Sequence, residues 1–150
     1  MQLIEIHEKD ENRMKRVLFL CTGNSARSQM SEALLKELGG NDFDVYSAGT
    51  HIASEVNPFA IRALEEKGLV TDGLKPKRVD QFKGQSFDLV ITVCDNAKQE
   101  CPFFPGAKQM LHWSLEDPAS FQGTDFEIME KFREIRYMIE ERINRELLGK

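Results

Sequence analysis

The chain has 150 residues, enough for one domain around a single core, and its 41% hydrophobic and 30% charged residues match a soluble globular protein. A formal net charge of −5 argues against the basic stripe of a general nucleic-acid binder, so any anion site must be built locally from a loop and one or two cations. No stretch approaches the ~18 consecutive apolar residues of a membrane span, and the charged start "MQLIEIHEKDENRMKR" has no secretory apolar segment. Neither a nucleic-acid nor a membrane partner is expected, and the location expected is cytoplasmic.

Residues 1–15 read as a polar leader, disordered or marking an upstream translation start, ahead of a single domain over 16–150. Val17–Leu20 is a short apolar run, the pattern of a strand buried on both faces. Ala26, Met30, Ala33, Leu34 and Leu38 then recur at helical spacing, and Gly39–Gly40 supplies the stop. "FDVYSAG" (Phe43–Gly49) reads as a second strand ending in a turn. Pro58 suits the first turn of a helix that Gly68 ends. Leu89–Val93 is a third strand and Ala107–Trp113 a fourth. Ile128, Phe132, Ile135, Ile139, Ile143 and Leu147 mark a closing amphipathic helix whose apolar stripe is core contact. Strands alternating with helices imply βαβ units, a mostly parallel sheet and helices on both faces.

Ligands of such sheets bind beyond the carboxyl ends of the strands. Cys21 and Cys94 each follow the last apolar residue of an expected strand, which puts both thiols on one rim. Cys101 completes an odd set of three cysteines, poor material for a static disulfide framework. Buried thiols acting as small hydrophobes would be the ordinary reading. The surroundings of Cys21 argue otherwise.

Cys21 and Arg27 enclose five residues in "CTGNSAR", between a strand and a helix. A loop so placed can turn the backbone N–H groups of Thr22, Gly23, Asn24, Ser25 and Ala26 inward as an anion nest, aided by the helix dipole. Gly23 permits the tight cradle, Asn24 tolerates a left-handed backbone, and the Arg27 fork can hold two oxygens of a tetrahedral oxyanion. The same dipoles activate the thiol: a pKa near 8.5 leaves about 3% thiolate at pH 7, and one near 6 gives roughly 90%. Ser28, at the helix start, is placed to donate a further hydrogen bond to the sulfur.

"CTGNSARSQM" resembles the active-site loop of the low-molecular-weight tyrosine phosphatase fold, and most closely that of the thioredoxin-coupled arsenate reductases built on it. "VYSAGT", "VNPFAI", "DLVITVCDNAKQECP" and "HWSLEDPA" extend the resemblance over most of residues 15–120. It implies a three-layer αβα domain with a four-stranded parallel sheet. It also implies an arsenical-detoxifying reductase with no tightly bound cofactor, which takes arsenate or a phosphate-like oxyanion and draws electrons from reduced thioredoxin. In the implied order Cys21 attacks arsenate, Cys94 attacks Cys21 to release arsenite, and Cys101 attacks Cys94 to leave a disulfide that thioredoxin reduces. Asp117, in "EDPAS", matches the family's general acid, although a lone Asp-Pro is ordinarily a turn or cap. Were residues 94–101 helical, their ends would stand about 10 Å apart, beyond the roughly 4.4–6.8 Å of a disulfide, so the segment has to rearrange.

Two alternatives share the loop: a low-molecular-weight protein tyrosine phosphatase, and a non-catalytic oxyanion-binding or redox-sensing module. "DPAS" lacks the tyrosines that commonly follow Asp-Pro in the phosphatases. Ala26 stands where some relatives have a cysteine. Some reductases bind potassium at positions that map to Asn24, Glu32 and Ser47, but a further family aspartate has no counterpart in "TDGLKPKRVDQF", and no metal is expected. His7, His51 and His112 lack metal-ligand spacing. Lys75, Lys77 and Arg78 read as a solvated basic face, and Trp113 as packing.

Overall fold

The sheet is assembled on β1 (Lys15–Cys21). In the computed structural model, which describes residues 13–101 and 103–150, β1 lies between β2 (Phe43–Gly49) and β3 (Leu89–Thr92), with β4 (Met110–His112) outside β3. All neighbours are parallel, in the order β2-β1-β3-β4. Parallel neighbours need crossover connections. These contain α1 (Arg27–Gly39) after β1, α2 (Pro58–Glu65) after β2 and α3 (Asp95–Glu100) after β3, while α4 (Asp125–Arg142) follows the last strand.

Val17, Leu18, Phe19 and Leu20 are all buried because β1 is covered on both faces. One face carries Val17 and Phe19, where α1, α2 and α4 pack on one another. Phe59 of α2 meets Phe132 of α4, and Trp113 stacks on Phe19 at 5.7 Å between ring centres. Leu18 and Tyr46 point to the other face, which the Val79–Phe82 turn, Phe87 and Phe104 cover with tilted and edge-on ring contacts. α3 closes the carboxyl end of that face, where Asp95 bonds to His112 at 2.9 Å. The layers are αβα. Among the described residues no helix is long and apolar enough to cross a membrane.

Three boundaries differ from the sequence expectation. The fold starts before residue 16: Lys15 is in β1, and Arg13 forms a two-point ion pair with Asp88 at 2.9 and 3.0 Å. Asp88, at the entrance to β3, draws the chain in because it also accepts the Arg16 amide at 2.8 Å. The leader expected over 1–15 otherwise lies outside the described residues. β4 shrinks to Met110–His112, with an isolated bridge from Ala107 to Phe87. Gly106 passes so close to Gln85 that a Cβ would sit 1.9 Å from its carbonyl oxygen, which fixes the approach before regular pairing begins. The closing helix, started by a Thr124–Glu127 capping box, widens into a π-turn over Ile143–Leu147, from which Glu146 accepts the Trp113 indole N–H at 2.9 Å.

Burial alone would raise the Asp88 carboxyl, but the Arg13 guanidinium and the Arg16 amide outweigh it and hold it at about 2. A depressed carboxyl stabilises the fold above its unfolded pKa and loses that effect as pH falls through the folded value. Asp88→Asn should therefore cost about 1 kcal/mol or more at neutral pH, and the difference from the parent should shrink between pH 4 and 2; urea unfolding across that range checks it.

Candidate active site

The loop between β1 and α1 is shaped by what happens to its carbonyls. The C=O groups of Cys21, Thr22, Gly23 and Ser25 accept the amides of Thr50, His51, Ala53 and Asn57 at 2.9–3.2 Å. In a trans peptide the C=O and the following N–H point opposite ways. With no cis bond among the described residues, the amides of Thr22, Gly23, Asn24 and Ala26 therefore turn to the inner side of the loop; the Ser25 amide, included in the nest expected from the sequence, is not placed by this geometry. Asn24 takes the left-handed conformation, φ 51°. Gly49, at the end of β2, makes room: a Cβ there would meet the Thr22 carbonyl oxygen at 2.5 Å.

Behind the loop lies a buried polar set, hydrogen-bonded except at Gln29 Oε1, which has no partner. Asn24 Nδ2 donates to Ser28 Oγ at 2.7 Å and Ser47 Oγ at 3.0 Å; its Oδ1 accepts the Lys77 amide at 2.8 Å and Gln29 Nε2 at 3.0 Å. Ser47 donates in turn to Glu32. Asn24, Ser28, Gln29 and Ser47 are all fully buried. Ser28, expected to donate to the Cys21 sulfur, accepts from Asn24, a bond that leaves its own proton available.

Cys21 and Cys94 meet on the rim, and all three cysteines are free thiols. Cys94 Sγ lies 3.3 Å from Thr22 Oγ1 and accepts the Ala97 amide at 3.4 Å, so it caps α3. The two sulfurs are hydrogen-bonded to each other. A hydrogen bond to Cys94 and burial push the Cys21 thiol up. The same bond, the Thr22 hydroxyl and the Ala97 amide hold Cys94 down at about 5. The directions of the two shifts thus favour the thiolate on Cys94, whose further donors are the Thr22 hydroxyl and the Ala97 amide, over Cys21, where the sequence led one to expect it.

Arg27 opens α1. Its Nη1 donates to the Leu115 carbonyl at 2.8 Å, its Nη2 lies 3.8 Å from Asp117 Oδ2, and its buried Nε has no acceptor. An orphaned donor on a guanidinium edge is what an oxyanion would satisfy. Asp117 is a cap, one of the two readings its sequence offered, and it also faces the site. Its Oδ1 caps the Pro118–Ser120 turn through the Ala119 amide at 3.0 Å, and it lines a cavity of about 580 Å³ together with Cys21, Arg27 and Cys94.

The model for the low molecular weight phosphotyrosine protein phosphatase family matches residues 16–149. The chain belongs to that family. Among its relatives, an arsenate reductase from Halalkalibacterium halodurans is 44% identical over 129 residues, 86% of this chain and 92% of the relative. A solved arsenate reductase in a phosphate-binding state superposes with a TM-score of 0.78 at 32% identity, covering 91% of this chain and 98% of the other. A thioredoxin-dependent arsenate reductase from Corynebacterium glutamicum gives 0.70 at 32% identity, covering 95% of this chain and 66% of that one.

Against this family background, Cys101 stands apart from the other thiols. α3 separates it from Cys94, burial raises its thiol, and it lines a second cavity with Thr50, His51, Phe103 and Phe104. Among the described residues no three histidine, cysteine, aspartate or glutamate side chains gather as metal ligands. The basic cluster divides: Lys75 and Arg78 are exposed, as expected, but Lys77 is turned inward to Glu32, contrary to the solvated face read from sequence. Gln29 and the Thr92–His112–Asp95 chain were not singled out either. Polar residues that serve only through other side chains have no local pattern to betray them.

Titration of thiolate absorbance should show one thiol ionising near pH 5 in the ligand-free protein. Cys94→Ser should abolish that step, and Cys101→Ser should leave it in place.

Proposed function

We propose that this protein is an arsenate reductase working through Cys21, Cys94 and Cys101, regenerated by thioredoxin. The observation that carries the reading is the second thiol beside the loop cysteine: a hydrolytic phosphatase releases its intermediate with water and has no use for it. The relatives named above support it, and the Corynebacterium protein supports thioredoxin as the reductant.

Arsenate enters the nest and takes up the Thr22, Gly23, Asn24 and Ala26 amides and the free Arg27 edge. The Cys21 proton passes to Cys94, and the Cys21 thiolate attacks arsenic. Dihydrogen arsenate, the thiolate and one proton give a Cys21–arsenic(V) adduct and water, with Asp117 as the acid that protonates the departing oxygen. Cys94 then attacks the Cys21 sulfur, giving up its proton to an oxygen of the arsenic group. The sulfur–arsenic electron pair stays with arsenic, which becomes arsenite, while a Cys21–Cys94 disulfide forms. Cys101 exchanges with Cys94, freeing Cys21, and the Cys94–Cys101 disulfide takes two electrons from reduced thioredoxin. No tightly bound cofactor is required, and a cytoplasmic location suits a donor that keeps thiols reduced.

Arsenite formation with thioredoxin, thioredoxin reductase and NADPH tests this. The parent protein should turn over repeatedly, Cys94→Ser should not cycle, and Cys101→Ser should stop after about one round. Aryl phosphate hydrolysis without thioredoxin-dependent arsenite formation would favour the phosphatase reading instead. Seven residue steps along a helix span about 10 Å, too far for a Cys94–Cys101 bond. Reduced and oxidised crystals should therefore differ at 94–101, with α3 unwound in the oxidised form; an unchanged backbone overturns the last exchange.

A further inference from the structure

The Ser47 and Glu32 side chains and the Lys75 carbonyl meet around an ammonium group. Lys77 Nζ lies 3.0 Å from the Lys75 carbonyl oxygen, 3.5 Å from Ser47 Oγ and 3.6 Å from Glu32 Oε1. The Lys77 side chain is only 17% exposed and that of Glu32 6%. A carbonyl, a hydroxyl and a carboxylate converging in a protected space are the donor set of a hard cation. These are also the positions to which the family's potassium would map. The donors suit such an ion in kind, but a positive charge tethered to the chain already stands among them. Lys36 holds the other Glu32 oxygen at 2.6 Å, so a further cation would set three positive charges around one carboxylate. Potassium does not fit beside Lys77.

We propose that the Lys77 ammonium replaces a bound potassium ion in this protein, as a positioning residue that holds the oxyanion loop through Glu32, Ser47 and Asn24. The connection is a chain of single hydrogen bonds. The ammonium neutralises Glu32, which remains a carboxylate and accepts the only Ser47 proton. The Ser47 oxygen is then left with acceptor capacity alone and takes Asn24 Nδ2. That fixes the Asn24 amide with its oxygen toward the Lys77 and Gln29 donors, and with it the left-handed residue on which the nest turns. The Lys77 main chain acts separately, donating to Asn24 Oδ1 and accepting the Gly49 amide at 2.8 Å, so shortening the side chain leaves that strap in place.

The test is inorganic phosphate affinity by calorimetry, with the thermal midpoint alongside, in sodium, potassium and ammonium chloride at equal ionic strength. The parent protein should give the same values in all three. Lys77→Ala should bind phosphate about tenfold more weakly in sodium and recover in potassium or in ammonium, which is close to potassium in size. If Lys77→Ala is poorly folded in sodium, recovery of its thermal midpoint in ammonium is the same result. Glu32→Gln combined with Lys77→Met removes both charges and should respond to neither ion. A potassium-specific response of the parent overturns the proposal. So does unchanged phosphate binding by Lys77→Ala, or a loss that is equal in all three salts. Failure of the parent to bind phosphate in any salt counts against the oxyanion site itself, while the thermal midpoints still decide the role of Lys77.

Discussion

Donation by four amides of the segment Thr50–Asn57 to four loop carbonyls is the constraint on which the site depends. A backbone cannot point its amides at an anion unless something else satisfies the carbonyls on the reverse side. Here that partner is the chain leaving β2, brought alongside by the full-length pairing of β1 with β2, which ends at Cys21 opposite Gly49. Gly49 lets the two segments approach, and Asn24 takes the positive φ that reverses the loop. Sheet register, loop shape and amide direction are therefore one arrangement.

An anion nest that also holds a thiol carries an electrostatic conflict, since the groups that attract an oxyanion also attract a thiolate. Donors that favour a thiolate on Cys94 rather than on Cys21 ease it. Cys94 has its own donors in the Thr22 hydroxyl and the Ala97 amide, so the nest proper is left for the ligand. Arg27 is likewise only partly engaged, one nitrogen on the Leu115 carbonyl and another donor without an acceptor. A buried unsatisfied guanidinium N–H costs about 1–3 kcal/mol, stabilisation that an arriving oxyanion recovers.

The sheet and its rim were legible in the sequence because they follow from local pattern. An apolar run, a helical repeat and a glycine stop fix β1 and α1 to within two residues, and the Cys21–Arg27 spacing gives the loop. The residues behind the loop were not legible. Lys77 sits in a polar stretch with two exposed basic neighbours, and nothing in the sequence says that the Gly49 amide and Asn24 side chain hold its main chain while its ammonium turns to Glu32. The division of charge between Cys21 and Cys94 was hidden for the same reason. It depends on which sulfur ends up nearer the donors of a second helix.

α3 links the chemistry to the movement that the proposed relay requires. It has six residues, too few to be stable alone, so its persistence rests on its ends. At its start the Cys94 sulfur accepts the Ala97 amide, and Asp95 is held by His112 and Ser114. The negative sulfur also suits the positive end of the helix, an interaction of about 0.3–1 kcal/mol at a helix terminus. In the proposed relay Cys94 would lose its charge on entering a disulfide and turn toward Cys21, so the reaction itself would remove the cap. The helix would then be weakest at the stage when Cys101 has to reach Cys94. Burial, which raises the Cys101 thiol, keeps that residue protonated until the same loosening exposes it. The order of the three cysteines would then be set by structure: the first oxidation unlocks the helix that holds the last thiol away.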